Sequence, residues 1–167
     1  MTTGLPDTAL ADAAAEFEGP LFDTFAAITA RQPDHLAVDD GIVRLSYAEL
    51  RNRALALGAR IAAQVSADGL VGVLVPTDAL CPVAWLACLA ARRPFLPFDP
   101  HLPQARNQAI IAEARLAAAI VPATMADGAT WLPPGLPRIA LAQAPGPAPA
   151  RLPMGRPAGA VGMVLFT

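Results

Sequence analysis

Few side chains in this sequence are of the types that do acid–base or nucleophilic chemistry, and they are scattered. The two histidines, His35 and His101, lie in proline-flanked turns without a catalytic partner at a useful spacing, which indicates surface positions. Asp99, in a Pro-Phe-Asp-Pro turn, could cap that turn or act as a functional carboxylate. Cys81 and Cys88 are seven residues apart on a predicted helix, two turns along one face and too far apart for easy bridging. We expect both to be small core residues rather than reactive thiols or metal ligands.

Lysine chemistry is excluded, because all twelve basic side chains of the sequence are arginine. No residue can therefore form a Schiff base, act as an amine base or hold a phosphate through an ammonium group. The sequence also has no glycine-rich phosphate loop, no nucleophile elbow and no metal-ligand spacing. From the residues alone, neither a catalytic set nor a metal site is predicted.

The most informative segment is the apolar run of residues 161–167, which ends at Thr167. A continuous apolar run after a stretch rich in proline and glycine is typical of a strand that is covered on both faces. In doubly wound folds such strands commonly lead into a loop that holds phosphate. The sequence stops at Thr167, so we expect this chain to lack such a loop.

Composition places the chain among folded domains and gives no sign of nucleic-acid or membrane binding. The 167 residues suffice for one domain or one lobe of a larger one, and 54% of them are hydrophobic, with a mean hydropathy of +0.43. The net charge is −2 without a basic patch or an acidic block, so neither nucleic acid nor an anionic membrane is an expected partner. The longest apolar run, residues 79–91, is too short to cross a bilayer. Because the N-terminus has no signal-peptide pattern, we expect a cytoplasmic protein.

The first part of the chain has the signals of a helix and a hairpin. Residues 1–18 are rich in alanine and acidic, and we expect a loose N-terminal arm there, with residues 19–167 forming one partial domain. Apolar residues at helical spacing predict a first helix that ends before Pro33. Residues 37–38 and 42–45 then predict two short antiparallel strands around an Asp-Asp-Gly turn.

A second helix is predicted directly after the hairpin. Ser46 and Glu49 have the spacing of a capping box, in which each residue satisfies the backbone N–H of the other. The apolar stripe of the helix would consist of Leu50, Ala54, Leu57, Ile61 and Val65. The arginines off this stripe, expected on a solvated face, are Arg51, Arg53 and Arg60.

Buried strands alternate with helices in the next part of the sequence. Residues 70–75 and 117–121 are predicted to be buried strands, whereas proline restricts residues 95–100 to an edge strand at best. Strand, helix and strand in this order are the signature of parallel strands joined by right-handed crossovers. The predicted fold class is therefore α/β: a mostly parallel sheet with helices on both faces and a small antiparallel hairpin.

Two helices are expected to connect these strands. The first would be capped by Thr77 or Asp78 and would end at Arg93 before Pro94. We expect it to turn three side chains inward, those of Trp85, Cys88 and Leu89. The tryptophan is expected to pack in the core rather than to contact a ligand. The second helix would begin at Pro103, and its inward residues would be Ile110, Ile111 and Ala114.

The following stretch is different in composition. Eight of the eighteen prolines lie between residues 133 and 157, which predicts a surface loop or linker over that range. Residues 139–141 are expected to form one short strand inside it.

Three motifs in order resemble core motifs of the adenylation domains of nonribosomal peptide synthetases. These domains belong to the adenylate-forming superfamily, with the acyl-CoA synthetases and luciferases. Residues 45–50 (Leu-Ser-Tyr-Ala-Glu-Leu) resemble the first motif, and residues 89–100, which end in Phe-Leu-Pro-Phe-Asp-Pro, resemble the second. Pro103 and Arg106 match the Pro-x-x-Arg that often follows it. Residues 164–167 (Val-Leu-Phe-Thr) resemble the strand that enters the third motif, the phosphate loop Thr-Ser-Gly-Ser-Thr-Gly.

The resemblance covers about residues 21–167 and implies the N-terminal subdomain of the adenylate-forming fold. For an intact member it implies an ATP- and Mg²⁺-dependent ligase that activates a carboxylic or amino acid as the acyl adenylate and releases pyrophosphate. The acyl group would then pass to a phosphopantetheine thiol, on a carrier or on CoA. Thr167 would be the first residue of the phosphate loop and is the one candidate nucleotide-binding residue.

Two departures from the family pattern affect these expectations. Ala90 and Arg92 stand where the second motif usually has lysine and glycine, so we expect the helix turn to close at Arg93 instead. The family's catalytic lysine lies in a small C-terminal domain, and this chain has no lysine. We therefore assign no catalytic residue and no metal ligand, and we expect the chain alone to be inactive and to bind ATP and Mg²⁺ poorly.

Other interpretations remain open at this stage. The chain could be a stand-alone interaction module that pairs its incomplete sheet with another polypeptide, because unpaired strand edges recruit partners. A fragment of an acyl-CoA synthetase and an unrelated nucleotide-binding α/β domain are weaker alternatives. The substrate acid is not readable, because in the family it is set by residues beyond Thr167.

Overall fold

The computed structural model describes residues 21–99, 102–125, 132–142, 148–150, 152 and 163. The predicted loose arm at residues 1–18 lies outside these residues. So do His101, Thr167 and all of the apolar run 161–167 except Met163.

The first described elements are the predicted helix and hairpin. Helix α1 (Leu21–Arg31) is followed by strands β1 (Leu36–Asp39) and β2 (Arg44–Ser46), which pair antiparallel. Carboxylates hold the turn between the strands, since the Gly41 N–H donates to Oδ1 of Asp39 at 3.0 Å. Gly41 has a φ of +83°, in the left-handed region where glycine is favoured. The Asp-Asp-Gly signal therefore identified the turn correctly.

Helix α2 (Tyr47–Gln64) begins at the predicted capping box. The Glu49 N–H donates to the Ser46 hydroxyl at 3.3 Å, and the Ser46 N–H donates to Oε2 of Glu49 at 2.8 Å. All five residues of the predicted stripe are buried, and so are Leu55, Ala56 and Gly58. The buried face is wider than predicted because α2 packs against a second helix as well as against the hairpin.

Four parallel strands form the main sheet, as predicted. They are β3 (Val71–Leu74), β4 (Phe95–Phe98), β5 (Ala118–Pro122) and β6 (Arg138–Leu141), in the spatial order β4-β3-β5-β6. Val71 lies opposite Phe95 on one side and Ala118 on the other, which fixes the register at the centre. The proline-containing strand β4 is the outermost of the four on its side, as expected for proline.

Helices cover both faces of this sheet. On one face, α2 and α3 (Leu80–Ala90) pack over a cluster that includes Val73, Ile120 and Ile139. On the other, α4 (Gln104–Ala114) supplies Ile111, with Ile110 and Ala114 partly buried beside it, to a cluster around Leu74 and Phe98. A short 3-10 helix (Ala123–Met125) follows β5. The α/β fold class is thus confirmed.

The prediction for Trp85 was wrong. The residue is 38% exposed, although the centroid of its ring lies 6.0 Å from that of Phe95, and Leu89 is only half-buried. Helix α3 carries no charged residue, so its apolar pattern does not distinguish an inner from an outer face. The small residues Ala84, Ala87 and Cys88 form the buried face, since they allow close approach to α2.

The end of α3 also differs from the expectation. The helix ends at Ala90, and Arg92 adopts the left-handed conformation with a φ of 52°. The Arg92 N–H donates to the Leu89 carbonyl and the Arg93 N–H to the Cys88 carbonyl, both at 3.0 Å. These two bonds form a Schellman motif that closes at Arg92, where the second motif that this segment resembles usually has glycine, and not at Arg93.

Two of the three arginines of α2, Arg51 and Arg60, hold later parts of the chain. Arg60 is exposed and donates from Nη1 to the Ala140 carbonyl at 2.7 Å. Arg51 is half-buried and donates from Nη2 to the Ala150 carbonyl at 3.0 Å, and Arg53 is half-buried too. A purely solvated face was therefore the wrong interpretation for Arg51 and Arg60.

Candidate functional site

The carboxyl edge of the parallel sheet is the place where this fold would bind a ligand. In open α/β sheets, ligands lie outside the carboxyl ends of the strands, where neighbouring strands lead their connections in opposite directions. Strands β3 and β5 are such neighbours, because the chain leaves β3 towards β4 and leaves β5 towards β6. The candidate site is therefore formed by the loops after β3, β4 and β5.

The amino-terminal end of α3 lies at this edge, and its amides are already occupied. The Ala79 N–H donates to Oδ2 of Asp40 at 2.9 Å, and the Leu80 N–H donates to Oδ1 of Asp78 at 2.9 Å. A helix N-terminus attracts phosphate because its amides lack partners and its dipole favours negative charge. Here two of the protein's own carboxylates, those of Asp40 and Asp78, accept these amides and already place negative charge at the helix end. A phosphate at this position would therefore meet like charge.

Asp40 belongs to the hairpin and connects it to α3. Its Oδ1 also accepts the N–H groups of Val43 at 2.7 Å and Ile42 at 2.9 Å. Hydrogen bonds from Val43, Ala79 and Ile42 lower the pKa of Asp40 below its ordinary value. The carboxylate is therefore ionised at neutral pH and acts as a structural clamp. The sequence analysis had named Thr77 or Asp78 as the cap. The N-cap residue is instead Ala79, whose side chain makes no capping bond, and Asp78 accepts the Leu80 N–H from the position before it.

The turn after β4 is held by a buried amide that the sequence analysis did not single out. Asn107 of α4 is 1% exposed, and its Nδ2 donates to the main-chain carbonyl of Asp99 at 3.0 Å. The Leu102 N–H donates to the same carbonyl at 3.2 Å. Within the described residues, Oδ1 of Asn107 has no donor. Asn107 shares the helical face of Ile110, Ile111 and Ala114. A polar residue on this apolar face was the sequence feature that could have identified Asn107 as a buried hydrogen-bonding residue.

Asp99 itself is exposed, and its main-chain carbonyl accepts the hydrogen bonds from Asn107 and Leu102.

The two cysteines are not activated. Cys88 is buried and Cys81 is half-buried, and both are free thiols. Burial raises the pKa of Cys88, and burial together with the nearby Asp78 carboxylate raises the pKa of Cys81. Both side chains are therefore protonated at neutral pH, in keeping with packing roles.

No catalytic constellation is assembled in the described part of the chain. His35 is exposed, and no group of three or more His, Cys, Asp or Glu side chains that could hold a metal lies within the described residues. Among those residues no helix combines the length and hydropathy needed to cross a membrane. The candidate nucleotide-binding residue Thr167 lies outside the described residues.

Comparisons with known proteins relate this sheet to one family. A sequence profile of the family described as AMP-binding enzyme matches residues 25–149. Chondramide synthase from Chondromyces crocatus is 41% identical over 112 residues, which are 65% of this chain and 3% of that protein. The beauvericin nonribosomal cyclodepsipeptide synthetase of Gibberella fujikuroi is 40% identical over 95 residues, 56% of this chain and again 3% of that protein.

Solved structures agree with the sequence comparison. The nonribosomal peptide synthetase FmoA3 superimposes with a TM-score of 0.78 and 25% identity, over 89% of this chain and 16% of that one. Its form bound to α-methyl-L-serine-AMP gives a TM-score of 0.69 and 27% identity, over 74% of this chain and 14% of that one. The profile covers well over half of the chain, and the chain spans only a small part of each relative. The chain therefore belongs to the AMP-binding enzyme family, in which it corresponds to the N-terminal part of an adenylation domain of the nonribosomal peptide synthetase type.

Proposed function

We propose that this chain is the sheet scaffold of an ATP-dependent ligase that activates a carboxylic acid, most simply an amino acid, as its acyl adenylate. The activated acyl group would pass to the phosphopantetheine thiol of a carrier. The observation that carries the proposal is the family match over residues 25–149, which includes every described strand and helix from α2 to β6. The bound adenylate named for FmoA3 supports the choice of reaction.

ATP and Mg²⁺ are the cofactors in this proposal. Adenylation makes AMP the leaving group in place of hydroxide, and the metal offsets charge on the phosphates. The described residues contribute position rather than chemistry. The Asn107 side chain holds the turn after β4, and the Asp40 and Asp78 carboxylates hold the start of α3.

We further propose that the 167-residue chain does not catalyse adenylation by itself. No lysine is present to stabilise a transferring phosphate, and the helix N-terminus at the sheet edge already holds carboxylates. The free thiols fit a reducing compartment such as the cytoplasm, where we place the protein.

The direct test is pyrophosphate exchange with the purified chain, ATP, Mg²⁺ and pools of amino, aryl and fatty acids. We expect no exchange above a control without enzyme. Exchange that depends on one acid would contradict the proposed inactivity and would identify the substrate.

The scaffold role is tested by transplantation. Residues 25–149 would replace their counterpart in FmoA3, and the chimera would be assayed for exchange with α-methyl-L-serine. Retained exchange supports a shared role for this segment, whereas a folded chimera without activity would contradict it. The same chimera carrying Ile120→Asp, which puts a charge into a fully buried position, is the control for an unfolded segment.

A further inference from the structure

The side of β6 that faces away from β5 is an edge of the described sheet. Strand β6 (Arg138–Leu141) is the outermost strand on its side and pairs, among the described strands, only with β5. Ile139 and Leu141 are at most 3% exposed, so one face of this short strand is apolar and buried. The opposite outermost strand, β4, contains Pro97, which has no N–H to offer, whereas β6 contains no proline. Edge strands of this kind pair with other chains unless something blocks them.

The register with β5 determines which backbone groups of β6 point outwards. The Ala119 N–H donates to the Pro137 carbonyl at 2.9 Å, and Ala119 lies opposite Arg138. In a parallel ladder, alternate residues of a strand bond one neighbour, and the residues between them point to the other side. Ile139 therefore faces β5, whereas Arg138 and Ala140 direct their N–H and carbonyl groups to the outer edge.

Arg60 of α2 lies across this outer edge. Its Nη1 donates to the Ala140 carbonyl at 2.7 Å, which places a guanidinium group on one of the outward-facing acceptors. Arg60 is exposed, whereas the next residue, Ile61, is fully buried, so α2 turns the Arg60 side chain away from the core. A short hydrogen bond from a charged donor is stronger than one between neutral groups. A strand that approached this edge would therefore have to displace the guanidinium.

A second copy of this chain carries a strand that matches the edge. When two β6 strands meet antiparallel across a twofold axis, the register that uses both outward-facing residues places Arg138 of each copy opposite Ala140 of the other. In that register the Arg138 N–H of one copy donates to the Ala140 carbonyl of the second copy, and the Ala140 N–H of the second copy donates back. The Ala140 carbonyl is thus the acceptor that Arg60 occupies and that a second copy would need.

We propose that Arg60 blocks the outer edge of β6 and so prevents this strand from pairing with β6 of a second copy. Loss of the guanidinium frees the Ala140 carbonyl and turns the edge into a surface for self-association. This proposal concerns assembly of the sheet and does not depend on the adenylating activity proposed above.

A matched pair of methionine variants of the 167-residue chain tests the block. Arg60→Met keeps much of the aliphatic stem and removes the donor, and Arg51→Met makes the same change at the arginine that bonds the Ala150 carbonyl, outside the strands. We expect the dimer dissociation constant, measured by sedimentation velocity over a range of protein concentrations, to fall at least about tenfold in Arg60→Met and to change little in Arg51→Met. An unchanged constant in Arg60→Met, or an equal fall in both variants, would overturn the proposal.

A proline at residue 140 identifies the surface through which Arg60→Met associates. Ala140→Pro removes an N–H that faces the outer edge and leaves the bonds between Ile139 and β5 in place. We expect the double variant, Arg60→Met with Ala140→Pro, to return to the dissociation constant of the parent. Tight association that persists in the double variant would place the contact elsewhere and would contradict the block.

Amide hydrogen exchange gives a second readout that needs no proline. In Arg60→Met the Ala140 N–H should become protected as the protein concentration is raised, since it then bonds the second copy. The parent should show no such dependence at this amide. Association of Arg60→Met without protection of Ala140 would overturn the proposal.

Discussion

Arg92 shows how one residue can keep a turn that its side chain disfavours. Its left-handed backbone completes the Schellman motif at the end of α3. Arg93 supports the same turn, because its buried guanidinium donates to the Val65 carbonyl at 3.1 Å and to the Ala91 carbonyl at 2.8 Å. The Arg92 side chain lies 3.7 Å from the Asp23 carboxylate of α1. The turn is thus held by neighbours that offset the backbone cost of a non-glycine residue.

Replacement of Arg92 by glycine and by alanine separates backbone strain from side-chain contacts. Both variants lose the ion pair, but only alanine keeps a Cβ in the left-handed region. We expect Arg92→Gly to be more stable than Arg92→Ala by about 1 kcal/mol. Urea unfolding of the two variants measures the difference, and equal midpoints would show that the turn is not strained.

Asp40 gives stability a pH dependence of defined sign. Because hydrogen bonds lower its pKa in the folded state, its contribution is present above the ordinary aspartate pKa of about 4 and is lost as the pH falls through the folded value. We expect Asp40→Asn to be less stable than the parent at about pH 7, with a gap that narrows below about pH 4. Urea unfolding at both values is the measurement. Asp34→Asn makes the same charge change at an exposed position away from α3 and serves as the control. A stability difference between Asp40→Asn and the parent that stays constant with pH would contradict the clamp.

At the scale of elements, the α2–α3 pair depends on a groove of small residues that a later segment fills. Leu152 is 9% exposed, and its Cδ1 lies 2.7 Å from the position that a Cβ on Gly58 would take. The Ala87 carbonyl lies 3.1 Å from the same position, and the Ala90 Cβ 3.6 Å. Gly58 is therefore needed for close packing, although glycine weakens a helix interior.

Gly58→Ala tests this packing together with Leu152→Ala. In the parent chain the new methyl group would meet Leu152, and we expect a loss of about 1–3 kcal/mol. In the Leu152→Ala background the loss should be smaller by about 1 kcal/mol, since one of the two close contacts is gone and alanine favours the helix. Chemical denaturation of the four proteins in this cycle measures the coupling. A Gly58→Ala cost that is the same in both backgrounds would place Leu152 outside the groove.

Local signals predicted the elements well, and non-local contacts account for what they missed. The capping box at Ser46 and the Asp-Asp-Gly turn are complete within a few residues, so the sequence contains all that defines them. By contrast, the clamp from Asp40 to Ala79 joins residues 39 apart, and Arg51 reaches a carbonyl 99 residues away. Trp85 was misplaced because an apolar helix gives no periodic signal for its inner face. For the candidate site, the resemblance identified the family, but no local pattern indicated that the protein's own carboxylates occupy the start of α3.

At the scale of the whole molecule, two hydrophobic clusters share the strands of one sheet. Successive residues of β3 and β5 point to opposite faces, so Val73 and Ile120 belong to the α2–α3 side and Leu74 and Val121 to the α4 side. Each strand therefore links both clusters through its own backbone. Loss of packing on one face should weaken the pairing on which the other face depends.

This coupling predicts a single unfolding transition that either face can destabilise. Ile120 and Leu74 are at most 1% exposed, and truncation of either to alanine removes buried methyl groups from one cluster. We expect Ile120→Ala and Leu74→Ala each to lower the free energy of unfolding by about 2–5 kcal/mol. Tryptophan fluorescence and far-UV circular dichroism should nevertheless report the same midpoint in each variant, since the faces unfold together.

Ile42→Ala, at a position 92% exposed in the hairpin turn, is the control and should change stability by less than about 0.5 kcal/mol. Separate midpoints for the two signals in Leu74→Ala would mean that the α4 face unfolds alone, and the sheet would then be two independent layers.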